Sequence, residues 1–278
     1  MKILVLGASS QIGRFLLPRL RARGDEVVAV SRAQHADADG VTWQRGALPD
    51  HMPDMANVDA VVCYGPIAAL APWFASGAAP GVTRVVCTSS MSAQSKLNSL
   101  DAAEREMARS LHEGEAALAA ACEARGIAWT VLRPTLVYGA GIDKSLSPIA
   151  RAAMRTRVFP LPSGRGLRQP VHADDIASAT VAALDTPAAS GHVIPMGGGE
   201  RLSSGEMFAR VRRSLAVATL PLPVPRWLLK LAATAIPRAR GPISRLDVDL
   251  IADNEPLLRL LGIRPRPFLA DGACWVPS

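Results

Sequence analysis

The first residues able to do chemistry stand near the start of the chain, in the run Gly7-Ala8-Ser9-Ser10-Gln11-Ile12-Gly13. The run follows Ile3-Leu4-Val5-Leu6, a short continuous apolar stretch of the kind that forms a buried parallel strand. It leads into residues 12–23, where Ile12, Phe15, Leu16 and Leu20 recur at helical spacing and Gly24 follows as a stop signal. A turn between a buried strand and a helix N-terminus offers backbone N–H groups to an anion, and a pyrophosphate suits that place. Gly7 serves the tight turn, and Gly13 lets helix, strand and pyrophosphate approach closely. Ser10 stands where a middle glycine is commoner; it is small, and its hydroxyl can donate to a phosphate. Gly7, Ser9, Ser10, Gln11, Ile12 and Gly13 are therefore candidate dinucleotide-binding residues.

The second strand, Val27-Val28-Ala29-Val30, ends at Ser31-Arg32. A dinucleotide fold that selects NAD places an acid there, about 20 residues past the loop, to bind the ribose 2′-hydroxyl. Here that acid is missing, and Arg32 can form a fork on a 2′-phosphate instead, with Ser31 and Ser9 as helpers. The expected cofactor is NADP, with NAD the alternative.

The elements that must hold these groups alternate. Val41-Thr42-Trp43, Ala60-Val61-Val62-Cys63, Val85-Val86-Cys87-Thr88 and Trp129-Thr130-Val131-Leu132 read as further strands, and the Ala- and Glu-rich residues 101–125 as a long helix ended by Gly126. Alternation of this kind predicts an α/β fold, a Rossmann-type doubly wound parallel sheet with helices on both faces. From Tyr138 the pattern loosens, with prolines at 148, 160, 162 and 170 and glycines at 139, 141, 164 and 166. It returns as a helix at 176–184 and a strand at His192-Val193-Ile194; the rest reads as helical pieces separated by proline. The expected division is a dinucleotide-binding Rossmann domain, residues 1–140 completed by 171–196. A smaller, mostly helical substrate lobe takes residues 141–278, interrupted by 171–196.

Composition narrows the classes. With 278 residues, 49% hydrophobic and 20% charged, the chain has the balance of a globular protein with a sizeable core. The net charge is +7, yet the basic residues are scattered and almost all arginine, with lysine only at 2, 96, 144 and 230. No run of like charge marks a nucleic-acid arm. Cys63, Cys87, Cys122 and Cys274 form no CxxC pair and no zinc-spaced cluster, so no metal is expected and a reducing, cytoplasmic compartment is. No stretch approaches the length of a membrane span, and the N-terminus does not read as a secretory signal. The most apolar candidate, residues 227–236, contains Lys230 and lies between Pro225 and Pro237; it reads as an amphipathic helix packed on the protein rather than on a membrane surface. The expected partner is a small-molecule substrate, and a homodimer is compatible with the sequence.

GASSQIG at 7–13, VVCTSS at 85–90, LRPTLVYGAG at 132–141 and PVHADDIA at 170–177 together resemble, in order and spacing, the extended short-chain dehydrogenase/reductase superfamily, which includes the NAD-dependent nucleotide-sugar epimerases and dehydratases. GGGERLSSGEMF at 197–208 and LGIRPRPF at 261–268 extend the likeness to bacterial sugar-nucleotide epimerases. The resemblance implies transient hydride transfer on a nucleotide-linked sugar. It implies that Ser90 hydrogen-bonds the reacting oxygen and that the backbone at Pro134 and Thr135 holds the nicotinamide amide. Leu48 falls near the adenine, with Ala47 replacing the acid that usually precedes it, and Arg168 falls where an arginine grips the substrate diphosphate. His172, Asp174 and Asp175 look structural, the aspartates as caps of the helix at Ile176.

The same resemblance calls for a Tyr and a Lys four positions apart, the tyrosine as acid/base and the lysine lowering its pKa. Met107 and Leu111 stand at those positions, aligned on Glu115, and neither moves a proton. The two tyrosines of the chain, Tyr64 and Tyr138, follow the fourth and sixth strands at the carboxyl edge and are the substitute donors to consider. The expectation is an NAD(P)-binding epimerase- or dehydratase-like protein lacking the usual pair. The alternative is a non-catalytic NADP-binding sensor, regulator or assembly factor.

Overall fold

The computed structural model describes every residue except 38, 39, 50, 54, 56, 100, 236–242, 244 and 278, and the side chains of Lys230, Ala232 and Ala233. The chain divides into two compact units. The first comprises Met1–Pro134, Ala173–Met196 and Asp253–Arg264. Its strands are β1 (Lys2–Leu6), β2 (Glu26–Ser31), β3 (Val41–Arg45), β4 (Ala60–Cys63), β5 (Arg84–Thr88), β6 (Ala128–Pro134) and a seventh at His192–Met196. They form one sheet in the order His192–Met196, β6, β5, β4, β1, β2, β3, and each neighbouring pair is parallel. The order reverses between β1 and β4, which is the switch point where such sheets open a crevice at their carboxyl ends.

The apolar runs form these strands because both faces of the sheet are covered. Ile3, Leu4, Val5, Val61, Val62, Val85 and Val86 are fully buried. Leu4, Leu6, Val28, Val30, Val61, Cys63, Val85 and Cys87 share one core with residues of the helices α2 (Ile67–Ala75) and α4 (Ala102–Glu123), the short α3 (Ser92–Ser95) standing between these two in the chain. Their strand neighbours alternate to the opposite face, where α1 (Gly13–Ala22) packs against the helix Ala173–Asp185. That helix starts earlier than its apolar spacing indicates. Asp174 and Asp175 therefore lie inside the first turn rather than capping it, and Asp174 pairs with Arg19 at 2.8 Å, where a negative charge also suits the helix dipole. Asp253–Arg264 belongs to this first unit and not to the lobe in which the sequence places it. Its helix, Glu255–Leu261, packs beside the seventh strand.

The second unit comprises Thr135–His172, Gly197–Ala252 and Pro265–Ser278. Besides the helices Leu146–Thr156, Ser204–Arg213 and Arg226–Ala235 it carries, among the described residues, three two-stranded sheets. Its core gathers Tyr138, Phe159, Met207, Val211, Phe268 and Trp275. The helix expected over 227–236 differs in its bounds and in its exposure. It spans Arg226–Ala235, with Ile236 and Pro237 outside the described residues, and three of its described apolar side chains are exposed rather than packed on the protein: Trp227 63%, Leu228 44% and Leu231 56%.

Candidate cofactor site

The glycine loop sits at the switch point. Gly7 takes φ +80°, a left-handed conformation that L side chains rarely adopt, and a Cβ there would stand 3.2 Å from the Cβ of Tyr64 beyond β4. Tyr64 N–H donates to the Leu6 carbonyl at 2.9 Å, tying the ends of β1 and β4 together. A Cβ on Gly13 would lie 2.2 Å from the Ala8 carbonyl oxygen, so the first turn of α1 is seated on the loop backbone as only glycine permits. Ser10 also holds the loop itself. Its hydroxyl accepts the Gly13 N–H at 3.2 Å and its carbonyl accepts the Arg14 N–H at 3.1 Å, which leaves only the hydroxyl proton to donate outward. The N–H groups of Gln11 and Ile12 have no protein acceptor among the described residues. The buried side-chain oxygen Oε1 of Gln11 likewise has no partner. Ser9 is exposed on the turn.

Register builds the second part of the site. β2 and β3 pair so that Ser31 lies beside Arg45. Arg32, one residue further, and Arg45 therefore emerge at adjacent carboxyl ends. Together with Gly46, Ala47 and His51 they line a cavity of about 420 Å³. Reciprocal bonds of 3.0 Å between the Ala47 and His51 backbones fold His51 back toward Arg45. Gly46 permits this fold, since a Cβ there would meet the His51 carbonyl oxygen at 2.8 Å. Ser31 is taken up inside its own turn, where its buried hydroxyl accepts the Ala33 N–H and pairs with His35 Nε2, both at 3.2 Å. Arg45 and His51 escaped the sequence reading because their relevance depends on strand register. The signal that could have found Arg45 is its place at the end of the strand after Arg32. Leu48 is half-buried and packs against the core under α2 and α4.

These features fit a dinucleotide: unpartnered loop N–H groups for a pyrophosphate, an unpartnered buried amide oxygen able to accept from a ribose hydroxyl, and a cationic cavity at the ends of β2 and β3. The sheet order and the loop define a Rossmann protein of the dinucleotide-binding type. The chain belongs to the NAD(P)H-binding family, whose model matches residues 7–187. Its similarities beyond that family run to nucleotide-sugar epimerases. It is 28% identical over 174 residues to a UDP-glucose 4-epimerase of Vibrio cholerae, a match covering 62% of this chain and 52% of that protein. The chain thus aligns with about half the length of that relative. Its fold is that of MoeE5 solved with UDP-glucuronic acid and NAD, with TM-score 0.74 and 19% identity over 99% of this chain and 97% of that one. It is also that of a UDP-glucuronic acid 4-epimerase from Bacillus cereus solved with NAD, with TM-score 0.74 and 17% identity over 98% and 94%.

The residues proposed for proton transfer and substrate binding fare unevenly. Ser90 is half-buried beyond β5, and its hydroxyl accepts the Ser92 N–H at 3.1 Å while its proton stays free to donate. Pro134 ends β6 and its carbonyl accepts the Met91 N–H at 2.9 Å; the Thr135 hydroxyl donates to the Gln169 carbonyl. Tyr64 directs its hydroxyl to Thr180 Oγ1 at 2.9 Å, and burial pushes its pKa well above the ordinary phenol value. Tyr138 is fully buried, edge-on to His172 at 5.0 Å and to Phe268 at 4.8 Å, so its environment is that of a core aromatic and not of a proton donor open to substrate. Met107 is exposed on α4 with Lys96 Nζ 3.4 Å from its sulfur, and Leu111 packs on the core.

Arg168 departs furthest from expectation. It is 5% exposed, and its guanidinium donates to the carbonyls of Leu167, Arg245 and Val248, all within the second unit. Burial lowers its pKa, and the nearby Asp249 and Asp247 oppose that shift. Its fork is thus committed to main-chain oxygens rather than presented to a diphosphate. Among the described residues no group of His, Cys, Asp or Glu is placed to hold a metal ion.

Proposed function

We propose that this protein binds NADP(H) in preference to NAD(H), and that it works as a cofactor-binding module rather than as an epimerase driven by a Tyr–Lys pair. The observation that carries the cofactor preference is the cavity lined by Arg32, Arg45 and His51. Two guanidinium groups there suit the doubly charged 2′-phosphate of NADP, and no acid stands at the end of β2 to hold the free 2′-hydroxyl of NAD. The loop of Gly7, Ser9, Ser10, Gln11, Ile12 and Gly13 holds the pyrophosphate, Leu48 borders the adenine, and the backbone at Pro134 and Thr135 takes the nicotinamide amide. When bound, the nicotinamide supplies a hydride acceptor or donor. What the chain supplies around it is the Ser90 hydroxyl, which can donate to a carbonyl oxygen. Met107 and Leu111 have no proton to move, and Tyr64 and Tyr138 are held in packed surroundings.

A second reading, oxidation and reduction of a nucleotide-linked sugar with a different acid/base, draws on the relatives, whose names give UDP sugars. One experiment separates the two. Calorimetric titration with NADPH and NADH is paired with assays of cofactor absorbance and sugar interconversion over a panel of UDP sugars, for the wild type and for Met107→Tyr/Leu111→Lys. The expected outcome is tight NADPH binding without turnover in the wild type. Arg32→Ala and Arg45→Ala should each weaken NADPH by about tenfold or more, the cost of a lost charge-assisted contact, and leave NADH unchanged. Robust wild-type turnover would refute the module reading, and equal affinities for the two cofactors would refute the 2′-phosphate site.

A further inference from the structure

A face of the second unit is built unlike the rest of the surface. Leu220 is 67% exposed, Leu222 51%, Trp227 63%, Leu228 44% and Leu231 56%, all within one short stretch. Leu220 and Leu222 stand two apart on the strand Leu220–Val224 and so share a face of it. Trp227, Leu228 and Leu231 fall at helical spacing on Arg226–Ala235. Scattered single apolar residues on a surface need no explanation, but a concentration of this kind marks an interaction site.

Charge says what covers it. From residue 214 to residue 246 the sequence contains no aspartate or glutamate, while Arg226, Lys230, Arg238, Arg240 and Arg245 fall in the same stretch. Arg238, Arg240 and the side chain of Lys230 lie outside the described residues and count here as sequence only. The acid that follows, Asp247, is already engaged by Arg226 and by the Arg165 N–H at 3.1 Å. The combination is therefore an exposed Trp–Leu face within a stretch of chain that is rich in cations and free of acids. An anionic lipid surface matches it on both counts. Leucine inserts among the acyl chains, tryptophan settles at the headgroup boundary, and arginine and lysine meet the phosphates. No helix among the described residues is long and apolar enough to cross a bilayer, so the contact would lie in the interface plane.

We propose that the stretch Leu220 to Leu231 docks this protein onto the surface of an anionic lipid bilayer. The test is co-sedimentation of the full chain with vesicles of phosphatidylcholine alone and with phosphatidylglycerol added to about 30%. The wild type should associate with the anionic vesicles about tenfold or more tightly than with the neutral ones, and high salt should weaken that association. Trp227→Glu/Leu231→Glu should lose about tenfold or more of it, with NADPH affinity and unfolding midpoint unchanged. Because that variant alters two positions, a second measurement stands beside it. Brominated lipid should quench wild-type tryptophan fluorescence, and the quenching should disappear in Trp227→Phe. Three results would overturn the proposal: no association with anionic vesicles, unchanged association of the double glutamate variant, or a concentration-dependent dimer that the glutamates abolish and that vesicles do not displace.

Discussion

Gly13→Val is the most direct test of the loop. A Cβ at this position would lie 2.2 Å from the Ala8 carbonyl oxygen and 2.6 Å from its carbon, both backbone atoms that cannot rotate aside. Ordinary van der Waals contact begins near 3.4 Å, so helix and loop must separate by about 1 Å. Overpacking of this kind costs about 1–3 kcal/mol, and the protein should remain folded with a lowered midpoint. The effect on binding is larger. A displacement of about 1 Å carries an N–H···O bond beyond hydrogen-bonding range. Losing the two charge-assisted contacts from Gln11 and Ile12, at about 1.5–3 kcal/mol each, weakens cofactor by roughly 10²–10⁴-fold. Calorimetric titration of NADPH into the variant measures the loss, and circular dichroism with thermal unfolding establishes that the fold persists. NADPH affinity within threefold of wild type, in a folded variant, would refute the assignment of this loop to the pyrophosphate.

Other expectations concern stability. Glu115 and Arg133 form a buried two-point pair, Nε to Oε1 at 2.8 Å with a second contact from Nη2 to Oε2. Glu115→Ala should cost about 3–5 kcal/mol in denaturant unfolding by stranding the guanidinium, whereas Glu115→Leu/Arg133→Met should recover most of it. Arg168→Lys should cost about 1.5–3 kcal/mol in the same assay, because three carbonyls lose a planar donor, and should leave NADPH affinity intact; an intact midpoint with lost ligand affinity would return this arginine to a binding role. Burial pushes the Cys63 and Cys122 thiols up to about 12 and Cys274 to about 11, from 9.0. These groups keep their protons in the folded chain while the unfolded chain releases them, so their contribution is whole below pH 9.0 and is lost as pH rises toward 11–12, at up to about 1.4 kcal/mol per unit for each thiol. Thiol-directed labelling at pH 8 should accordingly be negligible until denaturant unfolds the chain, and fast labelling of the native protein would contradict the burial.

The strands of the sheet were legible because burial on both faces writes them as unbroken apolar runs, and the loop because its glycines stand between two such periodicities. α2 was not read, since IAALAPWFA is apolar around its whole circumference and carries no helical alternation to detect. Arg32 was visible from its place after β2. Arg45 and His51 became candidates only with the strand register and the Ala47–His51 fold. Tyr138 looked available at a strand end because the rings that enclose it, Phe268 and Trp275, come from the far end of the chain. Arg168 illustrates a general limit. An arginine's position in a motif does not reveal whether carbonyls of a remote loop, here Arg245 and Val248, have already claimed its fork.

The first unit is assembled from three separate stretches of chain, and this sets the order in which it can be completed during synthesis. β6 is finished at Pro134, yet the strand that pairs with its outer side arrives only at His192–Met196, and the helix beside that strand only at Glu255–Leu261. A ribosome emitting residues in sequence therefore presents a nearly whole sheet whose newest edge, rich in unpaired backbone donors and acceptors, must wait for the second unit's first segment to emerge. Within that interval the nascent protein carries the hazard of edge-to-edge association. Cofactor already seated at the β1 loop would stabilise the early strands without closing that edge.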